Sequence, residues 1–181
     1  MKDLSLHILD ILQNSITAGA KLIRLEIEEV PVKDNYSIKF TDDGKGMEAN
    51  MTQQATDPFF TTRTTRKVGL GLSLLKQNAE RTGGYLMISS TPGVGTEVKA
   101  CFGYSHIDRL PTGDIAGTLA LTASSYPAID FIYRHTTPKG SFVFDTTEIK
   151  ETLEEVPIND PQVIAFMKNL IRENLEEIKA S

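Results

Sequence analysis

Leu4, Ile8, Ile11 and Ser15 recur at the spacing of one helical face, mostly apolar, while His7, Asp10, Asn14 and Thr17 fall on a second face that is polar throughout. Asp3 stands where a helix N-cap belongs, and Gly19 where such a helix would end. The period then changes. Ile23, Leu25 and Ile27 alternate with Arg24, Glu26 and Glu28, which predicts a half-buried strand. Residues 31–35 read as a turn, Tyr36, Ile38 and Phe40 alternate again, and a β-hairpin is the economical reading. Residues 47–68 are polar and threonine-rich around a single apolar cluster, Pro58-Phe59-Phe60, and read as a long loop of the kind that is usually functional. Leu72, Leu75 and Ala79 restore the helical period over 70–81, and Gly83-Gly84 ends it. Strands are expected at 85–89 and 96–102, joined by a turn at Pro92-Gly93.

Beyond about residue 106 the pattern is less regular. Pro111 and Gly113 punctuate a linker, 115–123 suits a short helix, and Phe131, Tyr133, Phe142 and Phe144 suggest two strands around Pro138-Lys139-Gly140. Asp160-Pro161 opens a last helix to about Lys179, with Ile164, Met167, Ile171, Leu175 and Ile178 in one stripe. The division expected is therefore 1–104, carrying the motifs below, and 105–181, a small α+β region for partner binding or dimerisation.

Composition narrows the function. The net charge of −5 with no basic run does not suit a broad nucleic-acid surface. No apolar stretch approaches the roughly 18 residues that span a membrane. The start, Met1-Lys2-Asp3-Leu4-Ser5, has no apolar signal-peptide core, so cytoplasm is the expected compartment. Cys101 lies in an apolar strand-like run and reads as a buried structural thiol. No His, Cys and Asp spacing suggests zinc. His7, His106 and His135 read as packed or solvated residues, with a phosphoacceptor role for His7 the weaker alternative.

Chemistry concentrates in a series of short motifs. Asp10 and Asn14 are one turn apart, so their side chains point the same way. An amide oxygen is a hard ligand that suits Mg²⁺. Asp42-Asp43-Gly44-Lys45-Gly46 ends a strand, with glycines that let the backbone take unusual angles. Asp57-Pro58-Phe59-Phe60-Thr61-Thr62-Arg63 runs through Arg66 and Lys67 to Gly69-Leu70-Gly71-Leu72, where a helix N-terminus flanked by cations suits an anion. Gly93-Val94-Gly95-Thr96 closes the series. It contains no Gly-x-x-x-x-Gly-Lys-Ser/Thr phosphate loop.

In this order the motifs resemble the ATP-binding superfamily shared by DNA gyrase, the large heat-shock chaperones, sensor histidine kinases and mismatch-repair MutL, closest to the histidine-kinase-like ATPase domain. The resemblance covers about residues 1–103. It implies an α+β fold, a two-layer sandwich of mixed sheet and helices on one face, with ATP bound between helices and a lid. It also implies roles. Asn14 would hold Mg²⁺ on the triphosphate, and Asp10, where ATPase branches usually carry Glu, would be the catalytic base. Asp42, rather than Asp43, would read the adenine amine, with Gly44 and Gly46 beside it and Thr96 supporting it. Arg66, Lys67, Gly69, Leu70, Gly71 and Leu72 would form the lid and phosphate side.

Two departures matter. Asp10 is one methylene shorter than Glu, which weakens hydrolysis because a general base must reach its proton. Lys67 replaces a glycine common in the kinase lid. The mismatch-repair helix is matched by Gln13-Asn14-Ser15 with Ala18-Gly19-Ala20, the kinase lid by 57–63. The chain starts directly at the metal-binding helix, without the helical dimerisation segment of a sensor kinase. The leading expectation is a stand-alone histidine-kinase-like or anti-sigma-kinase-like regulator of a partner protein. A MutL-like ATPase clamp, with homodimerisation, and a non-catalytic nucleotide sensor are the rivals.

Overall fold

A computed structural model describes residues 2–57 and 71–181. The first helix, α1 (Leu4–Thr17), is capped by the Asp3 carboxylate, which accepts from the Leu6 amide at 3.1 Å. Its last turn closes through Gly19, at φ 77°, with the Ala20 amide reaching back to the Ser15 carbonyl. The alternating segments become β1 (Leu22–Val30) and β2 (Asn35–Asp42), an antiparallel hairpin whose turn at 31–34 is a 3-10 step ending in Asp34 at φ 49°. A short helix, α2 (Ala49–Gln54), occupies part of the stretch expected to be loop. It is polar, without the apolar period that would announce it. Then follow α3 (Gly71–Arg81), β3 (Tyr85–Thr91), β4 (Gly95–Gly103) and α4 (Ile115–Ser125). The chain ends with β5 (Asp130–Thr137), β6 (Gly140–Asp145), α5 (Thr146–Leu153) and α6 (Pro161–Glu177). Among the described residues no helix is long and apolar enough to cross a membrane.

The strands form one six-stranded mixed sheet in the order β3-β4-β2-β1-β5-β6. The β1–β5 pair is parallel and the others are antiparallel. Cross-strand rows build the core: Val98, Phe40, Leu25, Tyr133 and Phe144 lie side by side, and Ala100, Ile38, Ile27, His135 and Phe142 form the next row. These side chains are buried. On the other face Arg24, Lys39, Met87, Glu97, Arg134 and Val143 stay at least partly open to solvent. Helices therefore cover one face: α1 packs between α3 and α4, and α4 against α6. This is the expected two-layer α+β sandwich. The strands of the 105–181 region extend the sheet of the first region, through an edge-to-edge pairing of β1 with β5 that no local sequence pattern announces.

On the polar face of α1, His7, read as packed or solvated, is the packed case: it is 1 % exposed and sits in the interior. The cause is α3, which packs on that side of α1 and supplies Asn78 as a partner. Cys101 is buried, as expected.

Candidate functional site

The cavity at the carboxyl end of β2 is where the motifs meet. It is lined by Asp10, Asn14, Ser15 and Ala18 from α1, by Phe40 and Asp42 from β2, by Lys45 to Met47 and Met51, by Gly71 and Leu72 of α3, and by Thr96 and Val98 of β4. One wall is apolar, from Ile11, Phe40, Met47, Met51, Leu72 and Val98. Polar groups converge at its two ends. Mostly apolar clefts with few placed polar groups are the usual form of a small-molecule site.

Asp42 sits at the last residue of β2, opposite Ile23 on β1 and Thr96 on β4. Its carboxylate is fixed from two sides. The Ser15 hydroxyl donates to one oxygen at 2.6 Å, and the Gly44 amide to the other at 2.9 Å. An ionised carboxylate has about four acceptor positions, so both oxygens keep capacity for a ligand. Asp43 differs. Its side chain accepts from the Lys21 and Leu22 amides at 2.7 and 2.9 Å, pinning the start of β1 outside the cavity. Those bonds outweigh burial and lower its carboxyl below the usual range.

Thr96 faces Asp42 in register, and its hydroxyl pairs with that of Ser90 at 2.8 Å. Ser90 in turn accepts from the Met47 amide at 2.8 Å, which ties the Asp-Gly loop to the β3–β4 hairpin. The glycines serve this close packing. A Cβ at Gly46, already at φ 67°, would fall 2.0 Å from the Thr91 carbonyl oxygen, and one at Gly44 would meet the Ala18 methyl at 2.9 Å. Gly46 lines the cavity; Gly44 stands behind it, acting through its amide.

At the other end Asp10 and Asn14 lie one turn apart. The Asp10 carboxylate fills the space in front of Gly71: a Cβ there would fall 1.6 Å from Oδ2. Only glycine lets the first turn of α3 approach α1 so closely. Of the predicted site residues, the cavity thus brings together Asp10, Asn14, Asp42, Gly46, Gly71, Leu72 and Thr96. Arg66, Lys67, Gly69 and Leu70, with the Phe59–Phe60 pair and Arg63, lie outside the described residues.

Sequence reasoning missed three participants. Ser15 falls on the mostly apolar face of α1, and its place beside Asn14 is the available signal. Lys45, between the two glycines, brings a cation to the lining. Ser90 carries no local signal, because its role comes from the β3–β4 register.

Comparisons with known proteins agree with this geometry. The profile of the family described as histidine kinase-, DNA gyrase B- and HSP90-like ATPase matches residues 2–105, more than half of the chain. A non-motile and phage-resistance protein of Caulobacter vibrioides is 32% identical over 116 residues, covering 59% of this chain and 14% of its own length. A putative sensor protein of Shewanella frigidimarina is 30% identical over 103 residues, covering 56% and 16%. The sensor kinase CckA of Brucella abortus is 33% identical over 82 residues, covering 45% and 9%. The chain thus spans a small part of each of these relatives. Among solved structures, the N-terminal domain of a DNA repair protein superposes with a TM-score of 0.56 at 18% identity, covering 79% of this chain and 52% of that one, a likeness of fold. With its motifs gathered in one cavity and its family profile matched over 2–105, the chain belongs to the histidine kinase-, DNA gyrase B- and HSP90-like ATPases.

Proposed function

We propose that this chain is an ATP- and Mg²⁺-binding module that acts on a separate partner protein, as a histidine-kinase-like or anti-sigma-kinase-like regulator. The observation that carries the reading is the convergence of Asp10, Asn14, Asp42, Gly71 and Thr96 on one half-apolar cavity. Family membership implies ATP binding, and each end of the cavity suits one end of that ligand.

The Asp42 end is fitted to adenine. A carboxylate oriented by Ser15 and Gly44 accepts from an exocyclic amine, while the carbonyl of guanine at the same place would leave it unpaired. Sites built on such a bond discriminate by up to about 10⁴-fold. The apolar wall, with Phe40, Met47, Leu72 and Val98, removes the base from water. The Asp10 and Asn14 end is fitted to a metal–phosphate group. Asn14 offers a neutral hard oxygen, and no cluster of three His, Cys, Asp or Glu side chains stands among the described residues. Mg²⁺ in such a setting is shared between a protein oxygen or two and substrate phosphates. When bound, it would neutralise phosphate charge. Asp10 would orient the attacking group, and Lys45 would add positive charge to the lining. The sensor proteins among the relatives support a kinase-type use of the nucleotide. Region 105–181, with Leu121 and Phe166 exposed at 58% and 55%, is the proposed partner-binding or dimerisation part.

A second reading, the ATPase clamp, is favoured by one feature: Asp10 is held against Gly71, where a hydrolytic base would stand. The fate of the γ-phosphate separates the readings. Purified chain, Mg²⁺ and γ-labelled ATP are incubated with and without cell extract. Label transferred to a protein supports the kinase reading. Free phosphate that disappears in Asp10→Asn supports the clamp. ATP bound but intact supports a sensor, and the absence of ATP binding rejects all of them.

A further inference from the structure

Two of the five methionines, Met47 and Met51, line the cavity. Met47 follows the Asp-Gly motif, its amide donating to the Ser90 hydroxyl at 2.8 Å, and Met51 stands four residues on, in α2. Both are partly open to solvent. Of the other described methionines, Met87 is 61 % exposed on the open face of the sheet, and Met167 of α6 is fully buried.

A thioether is soft and electron-rich, and a hydroperoxide oxidises it wherever the sulfur can be reached. At Met87 the product would face solvent. At Met47 and Met51 it would stand in the wall against which a ligand packs. Ile11, Phe40, Leu72 and Val98, which complete that wall, carry no side-chain hydrogen-bond donor. A sulfoxide oxygen is a strong acceptor. Among these side chains it loses its water when a ligand enters and gains no partner, and burying a polar group on those terms is costly.

We infer that Met47 and Met51 form an oxidation switch on this site: a hydroperoxide that enters the cavity converts their thioethers to sulfoxides and so lowers nucleotide affinity, while bound nucleotide shields both sulfurs. The inference rests on the ATP-binding reading. In the step the sulfur attacks one peroxide oxygen, and the O–O bond breaks as the S–O bond forms. The second oxygen leaves as water or an alcohol, carrying the proton of the first. Sulfur gives up two electrons and the peroxide takes them. Sulfoxide reductases reverse the change, which makes it a switch rather than a lesion.

The test treats the full chain with hydrogen peroxide, with and without Mg²⁺ and ATP. Peptide mass spectrometry follows each methionine, and calorimetry gives the ATP affinity before and after. Met87 should oxidise equally in both samples and Met167 should stay reduced. Met47 and Met51 should oxidise at least about fivefold more slowly with ATP present. Oxidation without ATP should lower affinity about tenfold, and methionine sulfoxide reductase should restore it. Met87→Leu should lose as much as wild type, whereas the double variant Met47→Leu/Met51→Leu, compared with itself before treatment, should lose less than about twofold. Unchanged affinity after both sulfurs are oxidised, equal rates with and without ATP, or a full loss in the double variant overturns the inference. Should that variant not fold, the wild-type rates and the reductase recovery decide. Recovery with dithiothreitol overturns it too, because that reagent reverses thiol oxidation and would assign the loss to Cys101. A wild type that binds no ATP before treatment rejects the ATP-binding reading itself, and the inference with it.

Discussion

Two polar clusters lie on the same covered face of the sheet, at opposite ends of its central strands, and one of them lines the cavity described above. At the cavity end Asp42 and Thr96 sit across from each other on β2 and β4. At the far end Glu29 accepts from His135 Nε2 at 2.7 Å and from the Ser181 amide at 2.8 Å, and His135 Nδ1 pairs with the Tyr133 hydroxyl at 2.6 Å. Tyr36 pairs there with Thr112, and Arg109 lies 4.7 Å from the centre of its ring. Glu29, His135 and Tyr133 are all buried. Burial pushes Tyr133 well above the usual tyrosine range, while for Glu29 the bonds from His135 and Ser181 outweigh burial and lower its carboxyl.

The difference is one of remaining capacity. In the far cluster the Glu29, His135 and Tyr133 side chains bond to one another and to the Ser181 amide, and so hold β1, β5 and the chain end together. The cavity end leaves carboxylate lone pairs and a helix N-terminus facing a cavity. A buried His–Glu pair would attract attention as a catalytic dyad in isolation. Here the cavity, rather than the residue types, marks the end proposed as the site.

The sharpest way to break this comparison is to remove one member of the closed network. His135→Leu leaves the Glu29 carboxylate buried with one bond fewer and should cost about 3 kcal/mol of stability. ATP affinity at temperatures where the variant is folded should stay within about twofold of wild type. Denaturant titration and calorimetry on one sample would check both, and a large loss of affinity would show that the two ends are coupled. A smaller effect of the opposite kind is expected from Ser15→Ala. It removes one of two bonds that orient Asp42 and should lower ATP affinity about fivefold, with stability changing by about 1 kcal/mol. Adenosine should lose affinity in the same proportion; a loss confined to ATP would place Ser15 on the phosphate side.

A pH dependence also separates the ends. Burial holds the His7 imidazole down to about 4 from an ordinary 6.5. The unfolded chain therefore takes up a proton first, and stability falls as pH drops from 6.5 towards 4. Glu29 acts lower: its contribution is intact above its unfolded value of 4.5 and is lost as pH falls through its depressed folded value. Between pH 7 and 5 the wild type should thus lose more stability than His7→Phe in urea titrations, whereas equal losses would show that His7 is not held neutral by the fold.

Much of this was legible in the sequence, for identifiable reasons. The N-cap of α1, the β1–β2 alternation and the helix ended by Gly83-Gly84 are local patterns, and each reappears in the fold. The one-turn spacing of Asp10 and Asn14 depends only on helix geometry. What was not legible depends on contacts distant along the chain. His7 reads as either packed or solvated until α3 arrives with Asn78, 71 residues later. Ser15 reads as part of an apolar stripe until Asp42 meets it, 27 residues on. The parallel pairing of β1 with β5 joins the two regions into one sheet without any local signal. The short helix α5, capped by Asp145, lacks an apolar stripe long enough to stand out.

The central claim is that the Asp42 end of the cavity reads adenine, and paired ATP and GTP titrations with Mg²⁺, on the wild type and Asp42→Asn, test it most directly. The account predicts that wild type binds ATP at least about 10²-fold more tightly than GTP, and that Asp42→Asn, which turns an acceptor towards donors into an amide, loses most of that preference while remaining folded. Equal affinity for ATP and GTP in the wild type, or an unchanged preference in Asp42→Asn, would contradict it.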